Sequence, residues 1–379
     1  MFNILISVFI LSSVIVIPNV AENFWIPKSV VFLIGGFILL AYNFISNKER
    51  SLTFKNKWLG LIFIYIILSF GWYFYMPLMM AQEGQKVFWN IWNFLPTLNV
   101  ILAILLIKDL VEYTDNLNQW VKIAKVLCWV CFGFSVYAIL QYFGLDQIFT
   151  RDLKWSVSIK SSFMITFMGN SMHSANFIAM LSPLCLMFKD LRYKIIYLIA
   201  FISLIFINSA VSLVAFIFGF LLYLLFMKRF KILIYSILGL LTAGVLIYFY
   251  NPQYFSFSGR LELWKLVLLD WKQRPWTGWG IGSIVLRQIR DSSTSLALAV
   301  ENDYLEILHN GGIFLFIPVC GYLLNLFKRL IMAKGSMLLA GYTIAFLVYL
   351  TLAMGSFLIS IAPLALVGII YISAIETQI

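Results

Sequence analysis

At 379 residues, 62% hydrophobic and only 11% charged, with a mean hydropathy of +0.95, the chain is too apolar to cover itself with water-facing side chains. A soluble domain carries roughly a quarter charged residues, so lipid is the expected solvent. The formal charge of +11 is spread over short loops with no base-reading pattern of aromatics, which argues against a nucleic-acid partner.

Apolar runs long enough to cross a hydrocarbon core of about 30 Å recur along the chain. They are expected at residues 2–18, 28–46, 58–76, 88–107, 121–142 and 171–188, and then at 194–207, 211–227, 231–249, 310–327, 335–353 and 356–374. The expected fold is therefore an all-α polytopic membrane protein of about twelve transmembrane helices, residues 1–379 forming a single transmembrane domain. The first run lacks a basic segment before it and a convincing small-x-small cleavage site after it, so it is read as a retained helix. The seventh and eighth runs are short and meet at Asn208-Ser209-Ala210. The four cysteines all fall inside apolar stretches; Cys128-x-x-Cys131 has redox or zinc spacing but is read as core. With two histidines in the chain, no dedicated metal site is expected.

Orientation follows from the basic residues. Sixteen of the 27 lie in one set of loops, around Lys48–Lys57, Lys108–Lys125, Lys189–Lys194, Lys228–Lys231 and Lys328–Lys334, with six acidic residues beside them. That face is expected to be cytoplasmic, and an even helix count puts both termini there. No Asp, Glu, Lys or Arg lies near the middle of an expected span, which argues against an ion-coupled transporter.

Two connections on the other face are too long for simple turns, residues 143–170 and 250–309. Long connections tend to be functional. The second, between the ninth and tenth spans, balances six cations against six carboxylates and is the expected seat of the chemistry. Its first part, SFSGRLELWKLVLLDWKQRPWTGWGIGS, reads as a helix from Ser258 to about Gln273, stopped by Pro275. Leu261, Trp264, Leu268 and Trp271 form an apolar stripe at helical spacing. Gly278, Gly280 and Gly282 then allow a tight, closely approaching turn, which alone is weak evidence for phosphate binding.

The order of these elements resembles the O-antigen ligase and polymerase superfamily. The resemblance rests on Ser258-Gly259-Arg260, Trp264 four residues later, and Pro275-x-x-Gly278-x-Gly280. Asn302-Asp303-Tyr304-Leu305 leading to Gly311-Gly312 looks like the family's second signature, and Gly169-Asn170 like its glycine-asparagine motif before the sixth span. The layout, with one large extracytoplasmic loop between the ninth and tenth spans, matches as well.

The resemblance implies a glycosyltransferase of the bacterial cytoplasmic membrane, working without metal or other cofactor. Such enzymes transfer a saccharide from an undecaprenyl-diphosphate-linked glycan donor to an acceptor hydroxyl. In a ligase the acceptor is the lipid A core; in a polymerase it is the glycan of another lipid-linked unit. It also implies that arginines hold the departing diphosphate while a histidine of the second signature activates the acceptor. Arg260 matches the family's arginine directly, and Trp264, Gly278, Gly280, Asn302 and Asn170 are carried over as substrate-binding candidates.

Two positions depart from the family pattern. Glu301 stands where a histidine usually precedes the asparagine, and Ala210 stands where an arginine usually follows the serine between spans seven and eight. Glu301 is the first candidate base, since a desolvated carboxylate gains basicity, and His309 the second. On a continuous helix the two would lie about 80° and about 12 Å apart, too far to share a proton. Arg287 and Arg290, at i,i+3, present two cations on one face and are candidates to replace the missing arginine. His173 is read as structural. The composition, rich in Phe, Ile, Lys and Asn, and the two departures lean toward a polymerase. A lipid-linked glycan flippase and a catalytically altered family member are the competing readings.

Overall fold

The computed structural model describes residues 2–15, 25–46, 54, 56–82, 91–113, 117–146, 164, 166–239, 258–281, 283, 300–332, 336–356, 358–359 and 361–378. Every element among them is helical. The first eight helices are α1 (Phe2–Val14), α2 (Trp25–Ser46), α3 (Lys57–Gln82), α4 (Ile91–Tyr113), α5 (Leu117–Tyr142), α6 (Ser171–Leu181), α7 (Leu191–Ile207) and α8 (Ala210–Phe226). They are followed by α9 (Phe230–Gly239), α10 (Ser258–Trp271), α11 (Asp303–Met332), α12 (Met337–Ala353) and α13 (Ala362–Glu376). Three segments are long and apolar enough to cross a membrane, Pro27–Ile45, Leu117–Tyr142 and Asp303–Ile331, and several shorter helices are equally apolar. Helices satisfy their own backbone polar groups, which is what a lipid solvent demands.

The centre of the bundle is α6. Ala175 and Phe177 to Leu181 are all fully buried, and α5, α7, α8 and α12 pack around them. Phe177 meets Phe134 of α5 with ring centroids 4.7 Å apart. Two fully buried tyrosines tie this core with hydroxyls that donate to backbone carbonyls, Tyr371 to Met180 at 2.8 Å and Tyr342 to Trp120 at 2.8 Å. A buried phenol without such a partner is costly. Cys128, Cys131 and Cys185 lie in the same core as buried free thiols.

The expected sixth span, 171–188, is not one helix. Pro183 removes an amide donor and crowds the preceding turn, so α6 stops at Leu181 and a 3-10 turn covers Ser182–Met187. Asp190 then caps α7 by accepting from the Arg192 amide at 3.2 Å. The seventh and eighth helices do part at Asn208, which takes the left-handed conformation (φ 58) and ends α7. The first residue of α8 is Ala210.

The tenth apolar run begins earlier than its hydropathy suggests. α11 starts at Asp303 and is broken at Gly312, whose φ of 59 and ψ of −164 are not helical. α10 packs on the α11 side of that break, through a small apolar cluster of Leu263, Val267 and Val300 with Trp264, Leu266 and Leu305 around it. This corrects the expected stripe. Leu261 is exposed, and the buried line runs through Leu263 and Val267, one residue or about 100° round the helix from the line through Trp264 and Leu268.

Candidate active site

The second signature is built as a helix start in which each polar side chain is engaged. Asn302 caps α11: its Oδ1 accepts from the Leu305 amide at 3.1 Å, and its Nδ2 donates to the Met354 carbonyl at 3.0 Å. The Asp303 carboxylate, buried, accepts from the Leu358 amide at 3.0 Å. Tyr304 donates to the Leu350 carbonyl at 2.9 Å. Together these bonds fasten Leu350, Met354 and Leu358, at the end of α12 and between α12 and α13, against the start of α11.

Glu301 precedes the helix, with φ 55. The left-handed region costs a residue with a side chain roughly 1–2 kcal/mol. Here it aims the carboxylate at α10, where the Arg260 Nε donates to Glu301 Oε2 at 2.7 Å. One turn along α10, the Trp264 indole N–H donates to the Val300 carbonyl at 3.1 Å, so the tryptophan fixes the residue before Glu301. The ion pair is accessible: the two side chains are 26% and 35% exposed.

Three more segments close on Arg260. Its Nη2 lies 3.4 Å from the Met172 sulfur in the first turn of α6. A Cβ at Gly355 would lie 3.8 Å from Arg260 Nη1 and 3.1 Å from Val211, in the first turn of α8. The guanidinium therefore stands among the N-termini of α6, α8, α10 and α11, the ends that carry partial positive charge and favour anions. Ala210, where the resemblance leads one to expect an arginine, adjoins Val211 at this spot. Behind it, Asn176 donates to Ser356 at 2.7 Å and accepts from Ser212 at 2.7 Å, a buried polar link joining α6, α8 and the segment just after α12. The signal for this link in the sequence is an asparagine in the middle of an apolar run, missed among the candidate residues above.

The remaining candidates divide. His309 is fully buried; its Nε2 lies 2.8 Å from the Asp270 carboxylate and its Nδ1 3.3 Å from Asn310 Oδ1. It bridges α11 to the far end of α10 and does not meet Glu301, which is not on the helix at all. Gly278 and Gly280 approach α11, not open space. A Cβ at Gly278 would come within 2.6 Å of the Asn310 backbone, and one at Gly312 within 2.4 Å of the Trp276 carbonyl. The amides of Trp279 and Gly280 donate to the carbonyls of His309 and Asn310, and those of Ile313 and Phe314 to Pro275 and Trp276. The glycine turn thus supplies the hydrogen bonds that the break at Gly312 denies α11. Its occupied amides are the physical reason to set aside the phosphate reading. Asn170 caps α6, accepting from Met172 at 2.8 Å, after Gly169 in the left-handed region (φ 77). Arg287 and Arg290 lie outside the described residues.

A bundle of apolar helices with an arginine-carboxylate pair among four helix N-termini defines an integral membrane protein with an anion-receptive polar site at one end. Residues 195–320, from α7 to the middle of α11, match the family model described as O-antigen ligase. The match covers about a third of the chain and holds both Arg260 and Glu301; it supports the resemblance to the O-antigen ligase and polymerase superfamily. No curated protein matches it significantly.

Proposed function

We propose that the protein is a glycosyltransferase of surface polysaccharide assembly that moves a saccharide from undecaprenyl diphosphate to an acceptor hydroxyl at the extracytoplasmic face of the bacterial cytoplasmic membrane. The observation that carries this reading is the Arg260–Glu301 pair, 2.7 Å apart and partly open, at the meeting of four helix N-termini. The family match over residues 195–320 supports it.

The pair supplies both halves of the chemistry. In the transfer the acceptor oxygen bonds to the anomeric carbon, the bond from that carbon to the phosphate oxygen breaks, and the diphosphate departs with the electron pair. Guanidinium donors and helix N-termini neutralise the charge growing on it. The hydroxyl proton passes to a carboxylate, the role of Glu301. At rest Arg260 occupies that carboxylate. A diphosphate competes for the same guanidinium, so donor binding draws Arg260 from Glu301 and uncovers the base only when there is a glycan to transfer. Asn302, Asp303 and Trp264 hold the two partners in register; Gly278 and Gly280 act as a bracket on α11, and Asn170 as the cap of α6. The assignment leaves Arg287 and Arg290 as further diphosphate ligands on the strength of the sequence alone.

Deleting the gene in its host and complementing with Arg260→Ala or Glu301→Gln tests the reading, with surface glycan resolved on a gel. Single-repeat products in the deletion mark a polymerase; lipid-linked polymer that never reaches the lipid A core marks a ligase. Both variants should reproduce the deletion. Full-length glycan with either one would overturn the proposed roles.

A further inference from the structure

Arg260 has a second partner whose chemistry the proposed reaction does not use. Glu301 holds its Nε, and the Met172 thioether lies 3.4 Å from its Nη2. A thioether is a weak acceptor. It does little to hold the guanidinium, and it leaves Nη2 ready for a better acceptor.

The sulfur is kept at this place by the fold. Met172 stands in the first turn of α6, where its amide is the one that the Asn170 cap accepts from at 2.8 Å. Ser174 ties the same turn back by donating to the Asn170 carbonyl at 2.9 Å. The Met172 side chain packs against the core with part of its surface open. The two described methionines in the segment leading to α6, Met164 and Met168, are 2% and 1% exposed. A small solution oxidant therefore reaches Met172 and not these two.

We propose that Met172 is an oxidation site through which hydrogen peroxide turns the transferase off, a reading that rests on Arg260 as the diphosphate ligand. The sulfur lone pair attacks one peroxide oxygen, an S–O bond forms as the O–O bond breaks, and water leaves. The sulfur is oxidised by two electrons to the sulfoxide, and the peroxide is reduced by the same two. The sulfoxide oxygen carries negative charge and accepts far more strongly than the sulfur did. With the S–O bond turned off the sulfur–nitrogen line, it comes within hydrogen-bond reach of Nη2. The guanidinium is then held at Nε by Glu301 and at Nη2 by the sulfoxide. A donor diphosphate has to displace two acceptors in place of one, so Arg260 stays on Glu301 and the base stays covered. Methionine sulfoxide reductases return the thioether, which makes the block reversible.

The test treats the full-length protein in detergent micelles with hydrogen peroxide and maps added oxygen by peptide mass spectrometry. Donor binding is then measured with an undecaprenyl-diphosphate-linked saccharide. Met172 should gain one oxygen, and affinity should fall about tenfold, the scale of one charge-assisted hydrogen bond. Reductase treatment should restore it. Met172→Leu should bind the donor with the same affinity before and after peroxide. Met354→Leu, which changes a methionine that is 59% exposed beside the same site, should stay as sensitive as the parent. Met172→Gln, which offers a carbonyl oxygen to Nη2, should weaken binding with no oxidant present. A Met172 that stays reduced while Met354 is oxidised would overturn the proposal, as would peroxide sensitivity that persists in Met172→Leu. Undiminished binding by parent protein oxidised at Met172 would do the same. If Arg260→Ala loses donor binding while none of these effects is seen, the diphosphate role stands and this inference alone falls. If Arg260→Ala binds the donor normally, both fall.

Discussion

Two acid-base bridges join the same pair of helices, and they are built in opposite ways. Arg260–Glu301 spans the first turn of α10 and the residue before the Asn302 cap of α11, with side chains 26% and 35% exposed and the carboxylate carried on left-handed backbone. Asp270–His309, ten residues further along α10, is 13% and 0% exposed and sits on regular helix on both sides. The second is sealed, with both ring nitrogens of His309 facing oxygen atoms of the protein, and it serves as a clamp. The first is open, strained and ringed by helix N-termini, as expected of a site where stability is given up for chemistry. On the proposed reading the base is therefore Glu301, in the accessible pair, and not His309, in the sealed one.

The largest effect expected from this contrast is at Glu301. Glu301→Gln keeps the size and a hydrogen-bonding oxygen but loses basicity, and transfer by reconstituted protein should fall by about 10³-fold with the midpoint of thermal unfolding unchanged. The clamp should behave the other way. Asp270→Ala leaves buried His309 without its carboxylate and should cost about 3 kcal/mol of stability, while turnover per folded molecule stays within about threefold. If Asp270→Ala abolished turnover at unchanged stability, the two bridges would have to exchange roles. Gly312→Ala forces a side chain into left-handed backbone against the Trp276 carbonyl, 2.4 Å from where the Cβ would stand. It should cost about 2 kcal/mol, seen as a lowered unfolding midpoint. The smallest effect is Glu301→Gly, which relieves the strain at φ 55 and loses a half-exposed ion pair. These offset within about 1 kcal/mol, so the protein should be inactive yet no less stable.

The site's members are legible in the sequence only one at a time. Arg260 and Glu301 were each legible from the residues around them; that they touch was not, because 41 positions separate them and only the packing of α10 on α11 brings them together. Asp270 went unnoticed for the same reason, 39 positions from His309. The face of α10 was misread because apolar residues lie all round it. With Leu261 and Leu269 exposed and Leu263 and Val267 buried, periodicity cannot say which side meets protein and which meets lipid. The break in α6 was legible in principle at Pro183. The break in α11 was not legible from Gly311-Gly312 alone, since two glycines can continue a helix; it is made by the turn at Pro275–Gly280 docking across it.

The central claim is that donor diphosphate and Glu301 compete for one guanidinium. Equilibrium binding of an undecaprenyl-diphosphate-linked saccharide to purified Arg260→Ala and Glu301→Gln measures this directly, because the account assigns the two variants opposite signs. Arg260→Ala should weaken binding by at least about tenfold, the loss of one charge-assisted contact. Glu301→Gln, which frees the guanidinium, should bind the donor as tightly as the parent or tighter while transferring nothing. Equal weakening in both variants would mean that the pair binds as a unit and that no base is uncovered, and the account would be wrong.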